Sequence, residues 1–251
     1  MGGVELLQAV SGGLYLLAIS VVGFRLLALA KRNRALPELY LGLSLVLGGC
    51  LGASLEAGAM VAAETLETAP LGMMMAVGKA FGLLGQGIQA VFVWRVFRPN
   101  ARWALGLVAL LWFVNLSTYA AFGFSGTFVT GAIPHGLFLV EFLARISASI
   151  WLTIEAFRYY RLMRRRRDLG LADAIVTNRF LLWSLAGLSA LVMLSTSVPP
   201  VFFADSENPL MLLDLVVFSA AGIVTSFLYL LTFFPPPAYR RWLVGSEEGR
   251  A

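Results

Sequence analysis

Residues 133–167 read IPHGLFLVEFLARISASIWLTIEAFRYYRLMRRRR. Ile133–Phe157 is a mainly apolar run, longer than the ~20 residues a helix needs to cross a bilayer. It runs into a cluster of arginines: Arg158, Arg161, Arg164, Arg165, Arg166 and Arg167. Hydrocarbon offers nothing to free backbone N–H and C=O groups, and no alternating barrel pattern is present, so the run reads as a helix. Six similar runs flank it: Leu6–Ala30, Leu39–Ala62, Leu71–Phe97, Trp103–Phe122, Phe180–Phe203 and Leu210–Phe234. Composition agrees. The 251 residues are 59% hydrophobic and 13% charged, with a mean hydropathy of +0.81, whereas a soluble domain carries about 25% charged residues. The same figures exclude disordered and disulfide-built chains. Seven spans leave only short connections, with no room for a catalytic domain outside the membrane. The expected fold is an all-α, seven-helix transmembrane bundle.

The basic residues set the expected orientation. Lys31, Arg32 and Arg34 follow the first span, and Arg98 and Arg102 the third. The arginine cluster and Arg179 flank the fifth connection, and Arg240, Arg241 and Arg250 follow the seventh span. The alternate connections hold Glu64, Glu67, Asp205 and Glu207, with no lysine or arginine. Cytoplasmic loops collect Lys and Arg, which puts the N-terminus outside and the C-terminus in the cytoplasm of a plasma (inner) membrane protein. Residues 1–237 form the transmembrane domain on this reading, and 238–251 a short basic tail along the inner headgroups. Met1–Glu5 has no positive n-region, so a cleavable signal peptide is not expected. Cys50 is the lone cysteine and cannot form an intrachain disulfide. The net charge of +5 suits anionic lipid, or a cytoplasmic effector at Arg164–Arg167, rather than nucleic acid.

Two kinds of internal order stand out. Gly23-Phe24-Arg25 before Lys31–Arg34 parallels Ala156-Phe157-Arg158 before Arg164–Arg167. Phe97-Arg98-Pro99 leading to Arg102-Trp103 parallels Phe234-Pro235-Pro236 leading to Arg241-Trp242. These suggest three helices, a linker helix and three more, in parallel halves. Convergence of helix exits on aromatic residues, proline and arginine accounts for them too. Glycine is concentrated in spans two and three, where Gly48/Gly52 and Gly78/Gly82 are small-xxx-small pairs that favour a close helix seam.

Ionisable groups inside spans cost roughly 2.5–3.5 kcal/mol each on insertion scales, so they are candidate functional residues. At ~1.5 Å per residue, Glu56, Lys79, Glu141 and Asp214 come to one level in the outer half. Arg145 stands one turn deeper than Glu141 on the same face. Asn115 reaches a similar level, His135 lies above Glu141, and Gln86 and Gln89 lie deeper. The expected pairs are Glu141 with Arg145 and Glu56 with Lys79, leaving Asp214 as the odd acid. Such a layer either lines an outward-facing pocket for a small solute, ion or proton, or is a neutralised network that fixes helix register. Glu155 is expected to pair with Arg158.

Enzyme motifs are weak. One His and one mid-span Cys cannot make the usual zinc set, so no metal or other cofactor is expected, nor resemblance to seven-helix zinc amide hydrolases. Gly123-Phe124-Ser125-Gly126 matches the GxSG of rhomboid proteases but reads as a turn, with His135 too near in sequence. The seven-helix, N-outside plan resembles rhodopsins and G-protein-coupled receptors as architecture only. Retinal proteins bind their chromophore through a lysine in the last helix, whereas here the last span has Asp214 and no lysine, and the one intramembrane lysine is Lys79 in the third. The three-one-three order also resembles sugar-transporting SWEET proteins, whose Pro-Gln pair is absent. Leu169-Gly170-Leu171-Ala172-Asp173 with Asn178-Arg179-Phe180-Leu181-Leu182-Trp183, and Phe233-Phe234-Pro235-Pro236 with Tyr239-Arg240-Arg241-Trp242-Leu243, are similar to motifs of a group of uncharacterised bacterial seven-helix membrane proteins. That resemblance implies a family and no activity. The leading expectation is a non-enzymatic sensor or receptor with an outer polar pocket. The alternatives are a small-solute or proton-coupled transporter, and a structural or assembly subunit.

Overall fold

The computed structural model describes residues 3–63, 65–130, 133–198 and 209–248. Glu64, Phe203, Asp205, Glu207 and Arg250, used above for orientation and span ends, lie outside the described residues. Among the described residues the backbone is helical with short turns and no strand. The long helices are α1 (Gly3–Asn33), α2 (Leu36–Ala62), α3 (Thr68–Phe97), α4 (Arg102–Phe124), α5 (His135–Asp168), α6 (Ala174–Ser195) and α7 (Pro209–Phe233). A shorter helix, α8 (Pro237–Glu248), follows, and one helical turn, Thr127–Thr130, lies between α4 and α5. All seven long helices are apolar and long enough to cross a membrane. Their outward residues are apolar as well: Leu17, Val61, Phe113 and Leu116 are each more than half exposed. Surfaces of that kind are solvated by acyl chains rather than water. The chain is a multi-pass membrane protein.

Helix ends follow local chemistry, and two differ from the spans read off hydropathy. The fifth continues past Phe157 to Asp168, because its arginines are good helix formers that need no hydrocarbon. It stops at Gly170, where φ is 72°, with Leu171 N–H donating to Arg166 C=O at 2.8 Å and Gly170 N–H to Arg167 C=O at 2.8 Å. That is a Schellman stop, and it needs the left-handed backbone glycine adopts without strain. The sixth begins at Ala174 rather than Phe180 and ends at Ser195 rather than Phe203. Asp173 starts it by accepting from Ile175 N–H at 2.6 Å and Val176 N–H at 3.2 Å. Hydropathy is blind to this N-cap, whose carboxylate satisfies donors that would otherwise be orphaned. Asp173→Ala is expected to cost about 1 kcal/mol. Thermal unfolding together with faster amide exchange at Ile175 and Val176 checks it.

The helices form two compact units, Ile19–Ala148 and Met1–Ala18 with Ser149–Ala251, divided inside α1 and inside α5. In the second, α6 and α7 pack along their length, and Gly187 of α6 lies against Thr153 of α5. The expected basic tail is the helix α8, with Arg240, Arg241 and Trp242 exposed and Leu243 buried. It is tied to α6 by Asn178 Nδ2 donating to Tyr239 Oη at 2.7 Å. Trp183 meets Phe233 at 6.2 Å between centroids, and Tyr239 stacks on Trp242 at 5.8 Å. The sequence motifs around Asn178-Trp183 and Phe233-Leu243 are thus two sides of one contact.

In the Ile19–Ala148 unit, α2 is squeezed between α1 and α3. Gly42 and Gly49 lie against Leu27 and Ile19 of α1, while Gly48 and Gly52 face Gly85 and Gly82 of α3. Within α2, Leu45–Gly52 winds as π-helix, a wider turn that is uncommon outside local bulges. This seam fixes the height of Glu56 on α2 relative to Lys79 on α3.

Candidate functional site

The polar layer of this unit is a chain of four charges from three helices. Glu141 of α5 is its centre, buried with 3% of its side chain exposed. Lys79 of α3 donates from Nζ to both carboxylate oxygens of Glu141 at 2.8 Å. Arg145, one turn along α5, donates from Nη2 to Glu141 Oε1 at 2.7 Å. Glu56 of α2 ends the chain, its Oε1 3.9 Å from Lys79 Nζ and its side chain 25% exposed. The order is Arg145, Glu141, Lys79, Glu56, and the two acids cancel the two bases. Lys79 Nζ also lies 5.4 Å from the centroid of the Phe122 ring of α4, so the ammonium has a π-face on one side.

The expected Glu141–Arg145 pair is present, since residues four apart share a helix face. The expected Glu56–Lys79 pair is only the looser half of a shared cation. Lys79 is held short by Glu141, a cross-helix contact that residue spacing along one helix cannot reveal. Phe122, read from the sequence only as a span end, is part of the site. The available signal was its position seven residues from Asn115, on one face of α4.

The remaining predicted residues are placed differently. Asn115 of α4 is buried at 3% exposure, and its Oδ1 finds no donor among the described residues. Tyr119, a turn further along α4, donates from Oη to the Ala76 carbonyl of α3 at 3.3 Å. His135 is the exposed first residue of α5, outside the ion-pair chain. Asp214 is half-buried on α7 in the other compact unit and is not one of the four charges. In that unit Glu155 has 4% of its side chain exposed and lies 3.6 Å from Arg158, which is 57% exposed. Ser125 of the GxSG stretch sits in a turn, its hydroxyl 2.8 Å from that of Thr127 and donating to Phe122 C=O at 3.1 Å. Among the described residues no three His, Cys, Asp or Glu side chains converge as a metal site would require.

No family model, curated protein or solved structure matches the chain. What the site can do follows from its charges alone. A buried carboxylate gripped by two cations is a fixed point, because removing either partner leaves an uncompensated charge. Glu56 is different: it is partly exposed and held at the limit of ion-pair distance. It can exchange Lys79 for another cation at little cost.

Proposed function

We propose that the protein is a membrane receptor or sensor in which a small solute with a cationic group is recognised at the outer end of the ion-pair chain, by Glu56. The observation that carries this is the asymmetry around Lys79, short to Glu141 and long to the exposed Glu56. A solute ammonium that takes Glu56 leaves Lys79 wholly to Glu141 and alters the force between α2 and α3 across their glycine seam. The same α5 that holds Glu141 runs unbroken to the arginines at 164–167, where an effector or anionic headgroups would be met. The excess of Lys and Arg in alternate connections supports an N-outside, C-cytoplasmic orientation in a plasma membrane. His135, in the same compact unit as Glu56, completes the proposed ligand-side residues, and the three-one-three repeat remains part of this reading.

The test is thermal unfolding of the protein in nanodiscs against a panel of amino acids and small amines, alongside uptake of the same probes into proteoliposomes. A receptor is stabilised by one class of probe and moves none, and Glu56→Gln removes the stabilisation while leaving the basal transition near its original temperature. Uptake that Glu56→Gln or Asp214→Asn abolishes overturns the receptor reading in favour of a transporter. No response to any probe, with a membrane partner copurifying and lost on Gly48→Leu, overturns it in favour of a structural subunit.

A further inference from the structure

A second polar tier lies deeper in the same unit, and none of the four charges reaches it. Seven residues inward from Lys79 along α3 is Gln86, and seven residues inward from Phe122 along α4 is Asn115. A step of seven is nearly two helical turns, about 10 Å, and returns to almost the same face. The two helices run antiparallel here, with Tyr119 bonded to Ala76 and Trp112 lying against Gly87. The step is therefore inward on both, and Gln86 stands to Asn115 as Lys79 stands to Phe122.

The facing is fixed by neighbours. Gly85 lies against Gly48 of α2 and Gly87 against Trp112 of α4, so Gln86 leaves α3 between those two contacts. Asn115 lies between Trp112 and Tyr119, both of which touch α3. The Gln86 Oε1 and Asn115 Oδ1 atoms are both buried and without a hydrogen-bond partner. Two amide acceptors at one level in a bilayer-spanning unit, with no donor for either, make a costly arrangement. Each unsatisfied group costs several kcal/mol in hydrocarbon.

We propose that Gln86 and Asn115 form a binding site for a small hydrogen-bond donor that bridges their two amide oxygens, either a water molecule or the ammonium head of a solute. The site asks for N–H or O–H groups directed at two acceptors, and it offers no anion. Being two turns deeper than Lys79, it is separate from recognition at Glu56. Either proposal can fail without the other.

The experiment uses the full chain in nanodiscs, with methylammonium and tetramethylammonium chloride as probes at equal ionic strength, and a high-resolution map of the protein without either. If an ammonium head is the occupant, methylammonium raises the unfolding temperature by several degrees. Tetramethylammonium, which has no N–H, does not. Asn115→Leu and Gln86→Leu each abolish the difference between the two salts, while Glu56→Gln leaves that difference in place. If water is the occupant, neither salt acts, and the map shows density within hydrogen-bonding distance of both oxygens that Asn115→Leu removes. In both cases the effects of Gln86→Leu and Asn115→Leu on unfolding are strongly non-additive, because the pair shares one partner. The proposal is overturned if the map shows the two amides bonded to each other or to neighbouring backbone with nothing between them. Strictly additive effects of the two leucine substitutions overturn it as well, and so does an equal rise in unfolding temperature with both salts.

Discussion

Glu141→Gln is expected to be the most damaging single substitution in the ion-pair chain, at a cost on the order of 3–5 kcal/mol. The change keeps the shape of the side chain and removes only its charge. Lys79 and Arg145, both held by Glu141 at 2.7–2.8 Å, are then left with one acid between them, Glu56 at 3.9 Å from Lys79. Lys79→Met should cost less. It leaves Glu141 still paired with Arg145, and Glu56, being 25% exposed, can turn toward water or headgroups. Glu56→Gln should cost least of the three. The double variant Lys79→Met with Glu141→Gln restores charge balance between Arg145 and Glu56, so it should cost clearly less than the sum of its parts. Denaturant or thermal unfolding in one detergent system reads all four. Should Glu141→Gln be as mild as Glu56→Gln, or the double variant be additive, Glu141 is not the centre of the network.

That ordering marks where sequence reading succeeds and where it stops. The membrane class and the seven spans were legible because hydrocarbon imposes a length and an apolar composition that few other constraints imitate. The pairing of Glu141 with Arg145 was legible because spacing within one helix fixes which residues share a face. Position along the spans grouped Glu56, Lys79, Glu141 and Asp214; the first three meet in one ion-pair chain, while Asp214 lies in the other compact unit. Depth is one coordinate of three, however. It could not say that Lys79 leans to Glu141 rather than Glu56, nor that the ring of Phe122 lies beside the ammonium. Those depend on the azimuth of each helix about its own axis. The late end of α5 and the early start of α6 were missed for a different reason. They depend on Gly170 and Asp173, whose caps act through backbone geometry and a single carboxylate, not through hydropathy.

The glycines of α2 and α3 carry the second large prediction, because sequence treats them alike and the structure does not. A Cβ on Gly85 would lie 2.5 Å from both Cα and N of Gly48 and 2.9 Å from Ser44 C=O. One on Gly52 would lie 2.8 Å from Gly82 N and 3.1 Å from Gly78 C=O. Every one of these atoms is backbone, so relief requires the helices to separate. Gly85→Ala and Gly52→Ala are therefore expected to cost at least the upper end of the ~1–3 kcal/mol typical of overpacking. The local preference works the other way, since alanine favours helix over glycine by about 1 kcal/mol. Gly82→Ala isolates that preference within the same seam, because its Cβ would meet nothing nearer than Glu56 Oε1 at 3.7 Å. At Gly12, Gly13 and Gly106 the added carbon meets nothing within 4 Å, and alanine there should be neutral or slightly stabilising. Unfolding temperatures and monodisperse yield of the six variants separate the two effects. A motif-level account, in which Gly78-xxx-Gly82 and Gly48-xxx-Gly52 are equivalent pairs, predicts similar losses at Gly82 and Gly52. The contact geometry predicts opposite signs at those two positions, and equal losses there would mean that α2 and α3 do not meet along this face.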